Sequence, residues 1–227
     1  MIGLAALVAA VLCADAMAAE PATPEALRQP TATATQPYAA PVIPATFSAD
    51  LTTAVGMGAF NAQWRNMDAK IVEVPAMPGA PAPWKTSYNL KPLATAADFD
   101  DSSWPVIPPQ GVTDHRGGGY MYMTWFRTAL TMPAKIGEFD TTKARVALVV
   151  TVDDYAEIWV NGQMLRAPGR LSPGAIQGFN IPNRVMLTES AKPGEKFQIA
   201  ILAINGPLSA SPANAVFMRE ARVDFWK

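Results

Sequence analysis

Cysteine and histidine are nearly missing from this chain, with one of each among 227 residues, at Cys13 and His115. Cys13 lies in an apolar N-terminal run that reads as removed on export, so no disulfide is expected and stability must come from burying apolar surface. A single histidine leaves zinc without its usual ligand set. A nucleophilic triad would have to use His115, and no Gly-x-Ser-x-Gly elbow accompanies it. Charge is scarce too: 18 basic and 19 acidic residues give a net charge of -1. Without a basic stripe or an acidic tail, nucleic acid is not an expected partner. The apolar run over residues 1–13 ends at Asp15, too short for a membrane span.

What is abundant is apolar surface and loop residues. Half the chain is hydrophobic, with 21 prolines and 15 glycines, which suits a loop-rich β protein of one globular domain. Ala16-Met17-Ala18 offers the small residues of a signal-peptidase site, so residues 1–18 are expected to be an export signal, placing the protein in the periplasm or outside the cell. No Lys or Arg precedes the run, which departs from the usual pattern; bulky Leu12 disfavours a lipid anchor at Cys13. Residues 19–46 are rich in Ala, Pro and Thr with few aliphatics and read as a linker. Residues 47–227 form the expected folded domain.

The chain is organised around residues 143–165. Val146, Leu148, Val150 and Val152 fall on one face of a strand, opposite Arg145, Ala147, Val149 and Thr151. Asp153-Asp154 interrupts the run as a tight acidic turn. Ala156, Ile158 and Val160 then alternate with Tyr155, Glu157 and Trp159, and Asn161-Gly162 suits a type I′ turn. Before this, a short strand is expected over 70–74 and a brief one over 88–90; the segment 47–64 is ambiguous. Residues 97–105 make a compact turn with Phe99 and Trp104 inward and Asp98, Asp100 and Asp101 bonding to backbone. A long strand covers 120–132. Later strands are expected at 176–179, 183–187, 197–204 and 215–226. Residues 197–204 are apolar on both faces and belong mid-sheet. In the last strand Phe217, Ala221, Val223 and Phe225 should face in, and Glu220, Arg222 and Asp224 out. Many short strands and no convincing helix point to a β-sandwich.

Three motifs in order carry a resemblance: Asp98-Phe99-Asp100-Asp101-Ser102-Ser103-Trp104, Trp125-Phe126-Arg127 with Pro133 after it, and Asp153-Asp154-Tyr155-Ala156-Glu157-Ile158-Trp159-Val160-Asn161-Gly162. Together they resemble the galactose-binding-like jelly-roll module, the sugar-binding domain of family-two glycoside hydrolases. With Asn183-Arg184-Val185 and Ile204-Asn205-Gly206-Pro207-Leu208-Ser209, residues 60–227 look still more like the region ahead of the propeller in some bacterial gluconolactonase-like proteins. The resemblance implies an all-β jelly-roll sandwich. It supplies no catalytic residues, because the propeller's metal ligands have no counterparts here and the hydrolase module precedes the catalytic barrel.

Asp153 and Asp154 can accept hydrogen bonds from sugar hydroxyls or hold calcium; the plainer alternative is that they satisfy turn N–H groups. Calcium wants six or more oxygens, and no Asp-x-Asp-x-Asp spacing is present. No cofactor is expected on that basis, with calcium left as the one open case. Trp159 either stacks on a sugar or packs beneath a loop. Trp125 and Arg127 share a face, where an Arg lying against the Trp is the structural alternative. His115 and Arg116, beside three glycines, line a binding loop or are simply solvated. Glu157, Asp154 and Asp114 are nominal partners for a glycosidase carboxylate pair, which needs a cleft. The favoured ligand-binding residues are Asp153, Asp154, Trp159, His115, Arg116, Asn205 and Asn214, on loops at one end of the sandwich. The expected function is a non-catalytic, exported carbohydrate-binding-like module whose partner is a glycan or a catalytic domain. The alternatives are the front part of a hydrolase and a structural spacer.

Overall fold

The computed structural model describes residues 43–75, 86–114, 116–119, 121–164, 182–206 and 214–227. The expected signal, most of the linker, the strand over 176–179, and His115 lie outside them. Residues 44–227 form one compact unit.

Thirteen strands are described: β1 (Phe47–Asp50), β2 (Trp64–Pro75), β3 (Thr86–Lys91), β4 (Val106–Ile107), β5 (Arg116–Gly119), β6 (Tyr122–Thr131), β7 (Lys135–Ile136), β8 (Phe139–Asp140), β9 (Arg145–Asp153), β10 (Tyr155–Val160), β11 (Asn183–Thr188), β12 (Lys196–Asn205) and β13 (Asn214–Trp226). Sheet one has the order β1-β13-β9-β11, with β5 added on β13; sheet two runs β10-β12-β6-β2-β3, with β4 on β2. Every described pairing is antiparallel. The architecture is an all-β sandwich, as the strand pattern predicts.

The alternation in β9 and β10 builds the core. Val146, Leu148, Val150 and Val152 of sheet one meet Ala156, Ile158 and Val160 of sheet two, together with Phe126 and Leu130. The acidic turn between β9 and β10 is therefore a crossing from one sheet to the other. Beyond β10, Asn161 and Gly162 take positive φ values of 50° and 78°, and Val160 and Gln163 exchange backbone hydrogen bonds of 2.8 and 3.0 Å. This is the reversal expected of Asn-Gly.

Strand β12 lies between β10 and β6. Phe197, Ile199, Ile201 and Ala203 enter the sandwich core, while Ala200 and Leu202 pack on the outer face of sheet two with Trp125, Trp104 and Ala94. Residues 92–105 close that face. Phe99 and Trp104 meet edge to face at 5.4 Å, as their expected anchoring role requires. Asp100 accepts the Ser102 N–H at 2.9 Å, whereas Asp101 turns to the sheet and pairs with Arg127.

The remaining differences from expectation have local causes. The segment 47–64 supplies β1 and a short helix, α1 (Ala54–Ala59), capped by Thr53 Oγ1 accepting from Gly56 N at 3.0 Å. A Cβ on Gly56 would stand 1.8 Å from the Asp50 carbonyl oxygen, so only glycine fits. Strand β2 starts at Trp64 rather than Lys70, because Arg65 to Ala69 pair with β6 although their side chains do not alternate cleanly. In β13 the register shifts between Met218 and Glu220. That bulge moves Val216 and Met218 into the core and leaves Phe217 outside it, against the expected inward Phe217.

Arg127 holds the covering loop. It is fully buried on β6, donates from Nε to Asp101 at 2.8 Å, and donates to the Ala94, Ala96 and Phe99 carbonyls. Its ring partner is Phe99, at 5.2 Å. Replacing Arg127 by Ala strands those acceptors and opens a cavity, so Arg127→Ala is expected to cost about 3–5 kcal/mol in urea unfolding. A loss below about 1 kcal/mol would show that the loop is held by its aromatic contacts instead.

Candidate functional site

The chain crosses between sheets at Asp153-Asp154, and this crossing gathers several of the sequence-predicted residues. Antiparallel register places Tyr155 opposite Ile204, so Asp154 stands beside the end of β12. Asp154 N–H donates to the Ile204 carbonyl at 3.3 Å, and the Gly206 N–H donates to Asp154 Oδ2 at 3.3 Å. Asn205 is buried at the end of β12, paired with Tyr122 of β6. On the other side, Phe217 pairs with Asp153, Val216 with Arg116 and Asn214 with Gly119. The backbones of Arg116 and Asn214 thus reach the same end of the sandwich as Asp153, Asp154 and Asn205.

Arg219 belongs to this group and is not legible from the sequence pattern. The bulge in β13 supplies one extra residue, and Arg219 donates to Asp153 Oδ2 at 2.8 Å while lying over the Phe217 ring at 5.0 Å. A strict alternation assigns Phe217 inward and gives Arg219 no reason to turn toward β9. The only hint was the run Phe217-Met218-Arg219-Glu220, whose apolar residues do not keep the period of the strand's second half.

Asp153 is 3 % exposed, and its Oδ2 accepts from Arg219. Asp154 is partly buried, and its pKa is raised above the usual 3.8, first by burial and then by a side-chain hydrogen bond with Asp153. The crossing therefore combines two neighbouring acidic side chains, one buried and one partly exposed, with a backbone N–H and an exposed guanidinium. Such a set can accept and donate hydrogen bonds to hydroxyl groups.

Trp159 is not part of this end. It lies on the outer face of sheet two, packed beside Ala200 and Leu202, and donates from Nε1 to Glu157 Oε2 at 3.3 Å. Glu157 shares that face and is engaged by the indole. Asp114 is exposed, just after the short 3-10 turn Pro109–Val112.

A raised carboxyl pKa makes a definite prediction for stability. The folded state holds the proton on Asp154 more tightly than the unfolded chain does. Its contribution is fully present below the ordinary value of 3.8 and is lost as pH rises through the elevated folded value. Asp154→Asn keeps a donor toward Asp153 at every pH. Urea unfolding followed from acid to neutral pH should show a shallower fall in stability for Asp154→Asn than for the native chain. Parallel pH profiles would contradict the raised Asp154 pKa.

No family model and no curated protein matches the chain. Solved structures that are similar include β-glucuronidase 2 of Bacteroides uniformis, covalently bound to cyclophellitol-6-carboxylate aziridine, at 13% identity and a TM-score of 0.44, covering 79% of this chain and 18% of that one. A calcium-binding mutant of the same enzyme matches at 15% identity and a TM-score of 0.40, over 72% and 18% of the two chains. Faecalibacterium prausnitzii β-glucuronidase matches at 15% identity and a TM-score of 0.34, over 62% and 21%. The chain spans about a fifth of the length of these enzymes.

Proposed function

We propose that this chain is an exported, non-catalytic accessory module that recognises a hydroxyl-rich ligand, a glycan, at the sheet-crossing end of its sandwich. The observation that carries the reading is the convergence of the partly exposed Asp154 carboxyl and the exposed Arg219 guanidinium at the end of β12. A sugar hydroxyl can donate to the partly exposed Asp154 carboxyl. A neighbouring hydroxyl accepts from the exposed face of Arg219, and the main-chain N–H of Gly206 fixes Asp154 from the other side. Arg116 and Asn214 join by strand register.

The carbohydrate class comes from the resemblance of the three sequence motifs to the hydrolase sugar-binding domain. In those hydrolases the module precedes the catalytic barrel, so the protein partner we propose is a glycoside-hydrolase catalytic domain. The likeness to the region ahead of gluconolactonase-like propellers rests on sequence motifs alone and adds no residue to the site. Export follows from the reading of residues 1–18.

A panel of glycans and monosaccharides tested against the protein by calorimetry, with and without calcium, examines this reading. Selective binding is expected, weakened about tenfold or more in Asp154→Ala and unchanged in Trp159→Ala, since Trp159 lies on another face. Calcium-dependent binding would move the acidic pair from hydroxyl acceptor to metal ligand. No binding across the panel would leave a structural role.

A further inference from the structure

A second polar recess lies on the outer face of sheet two, between the turn after α1 and the strands β6 and β12. It is a groove of about 460 Å³ whose wall includes Asn61, Gln63, Arg65, Asp101, Ala129 and Gln198. Gln198 and Asn205 are seven residues apart on β12, so at 3.3 Å per residue the groove lies about 23 Å from the sheet-crossing end. The two places are separate.

The chemistry of the groove follows from how its two arginines are used. Arg127 gives its guanidinium to Asp101 Oδ2 and three carbonyl oxygens, so it fixes Asp101 without offering donors of its own. Arg65 spends one nitrogen on the carbonyls of Ser102 and Trp104, at 3.0 and 2.7 Å. Its Nε stands 3.6 Å from Asp101 Oδ1, beyond hydrogen-bond reach, and the two side chains are 21 % and 22 % exposed. Arg65 and Asp101 thus form a loose ion pair at the groove, longer than a hydrogen bond, and both stay partly exposed to a ligand. Gln198 is anchored by its Nε2, which donates to the Thr128 carbonyl at 3.2 Å, and this leaves its Oε1 as an oriented acceptor. Gln63 is exposed and adds an amide with both donor and acceptor.

A hydroxyl group donates and accepts at once, and two on adjacent carbons span neighbouring donor–acceptor sites. The charges at the groove are paired, Arg65 with Asp101, so no net charge is asked of the ligand. Among the described residues no aromatic ring lines the groove, which favours contact with the edge of a ring over its face. We propose that this groove is a binding site for a neutral ligand bearing vicinal hydroxyls, the edge of a saccharide or another polyol, held by Arg65, Asp101, Gln198 and Gln63. It stands independently of the site at the sheet crossing.

The test is a titration of the isotope-labelled protein with myo-inositol, which has a hydroxyl on every ring carbon, and with cyclohexanol, which has one. Saturating shifts are expected for the Arg65 Nε–H and the side-chain amides of Asn61, Gln63 and Gln198, with inositol only. Gln63→Trp, an exposed substitution that fills the groove without touching the loop's anchors, should weaken inositol binding about tenfold or more. Asp154→Ala should leave the groove response unchanged, which separates this site from the one at the sheet crossing. Shifts confined to Gly206 and its neighbours would overturn the proposal, as would equal shifts with cyclohexanol, no response at the groove, or a response untouched by Gln63→Trp.

Discussion

The buried guanidinium of Arg127 constrains this fold more than any other single group. A charge taken out of water costs several kcal/mol unless every donor is met. Here the donors are met by Asp101 and by three carbonyls of one loop, with Phe99 against the guanidinium. The loop cannot leave without stranding the charge, and the same loop carries Ala94 and Trp104 onto Trp125, Ala200 and Leu202. The middle of sheet two is thereby covered on both faces, which is why Ile199 to Ala203 of β12 are apolar on both. Closing the loop also sets Asp101 beside Arg65 and so shapes the groove.

Sheet one handles its outer face differently. Arg222 pairs with Glu220 and with Asp224, Glu220 accepts from Thr151 Oγ1 at 3.0 Å, and Asp224 accepts from Ser48 Oγ at 2.7 Å. This ladder of β13 side chains, with its neighbours on β1 and β9, stands over small residues; Ala147 and Val149 are fully buried although they face away from the core. Long polar side chains shield that face, while the loop with its aromatics shields the other.

Much of this was legible because period-two alternation and turn chemistry are local. The faces of β9, β10 and β12, the Asn161-Gly162 reversal, and the anchoring of Phe99 and Trp104 follow from neighbouring residues alone. The bulge in β13 was not legible, since one inserted residue reverses the faces before it without changing composition. Its consequence, Arg219 reaching Asp153, was hidden with it. The groove was hidden for another reason: Asn61, Arg65, Asp101 and Gln198 come from four segments, and only the pairing of β2 with β6 and β6 with β12 brings them together. The sequence did place Asp153, Asp154 and Asn205 at one end, because each ends or begins an apolar run.

Two buried aspartates are paired in different ways. Asp224 and Asp153 are both nearly excluded from water, at 2 % and 3 % exposure. Asp224 receives the Ser48 hydroxyl and the Arg222 Nε–H and serves the sheet. Asp153 receives Arg219 on one oxygen and has Asp154 as its immediate neighbour. At the crossing the cation that meets the buried carboxylate is itself exposed, so the pair presents donors to solvent, and these are what a hydroxyl-bearing ligand would meet there.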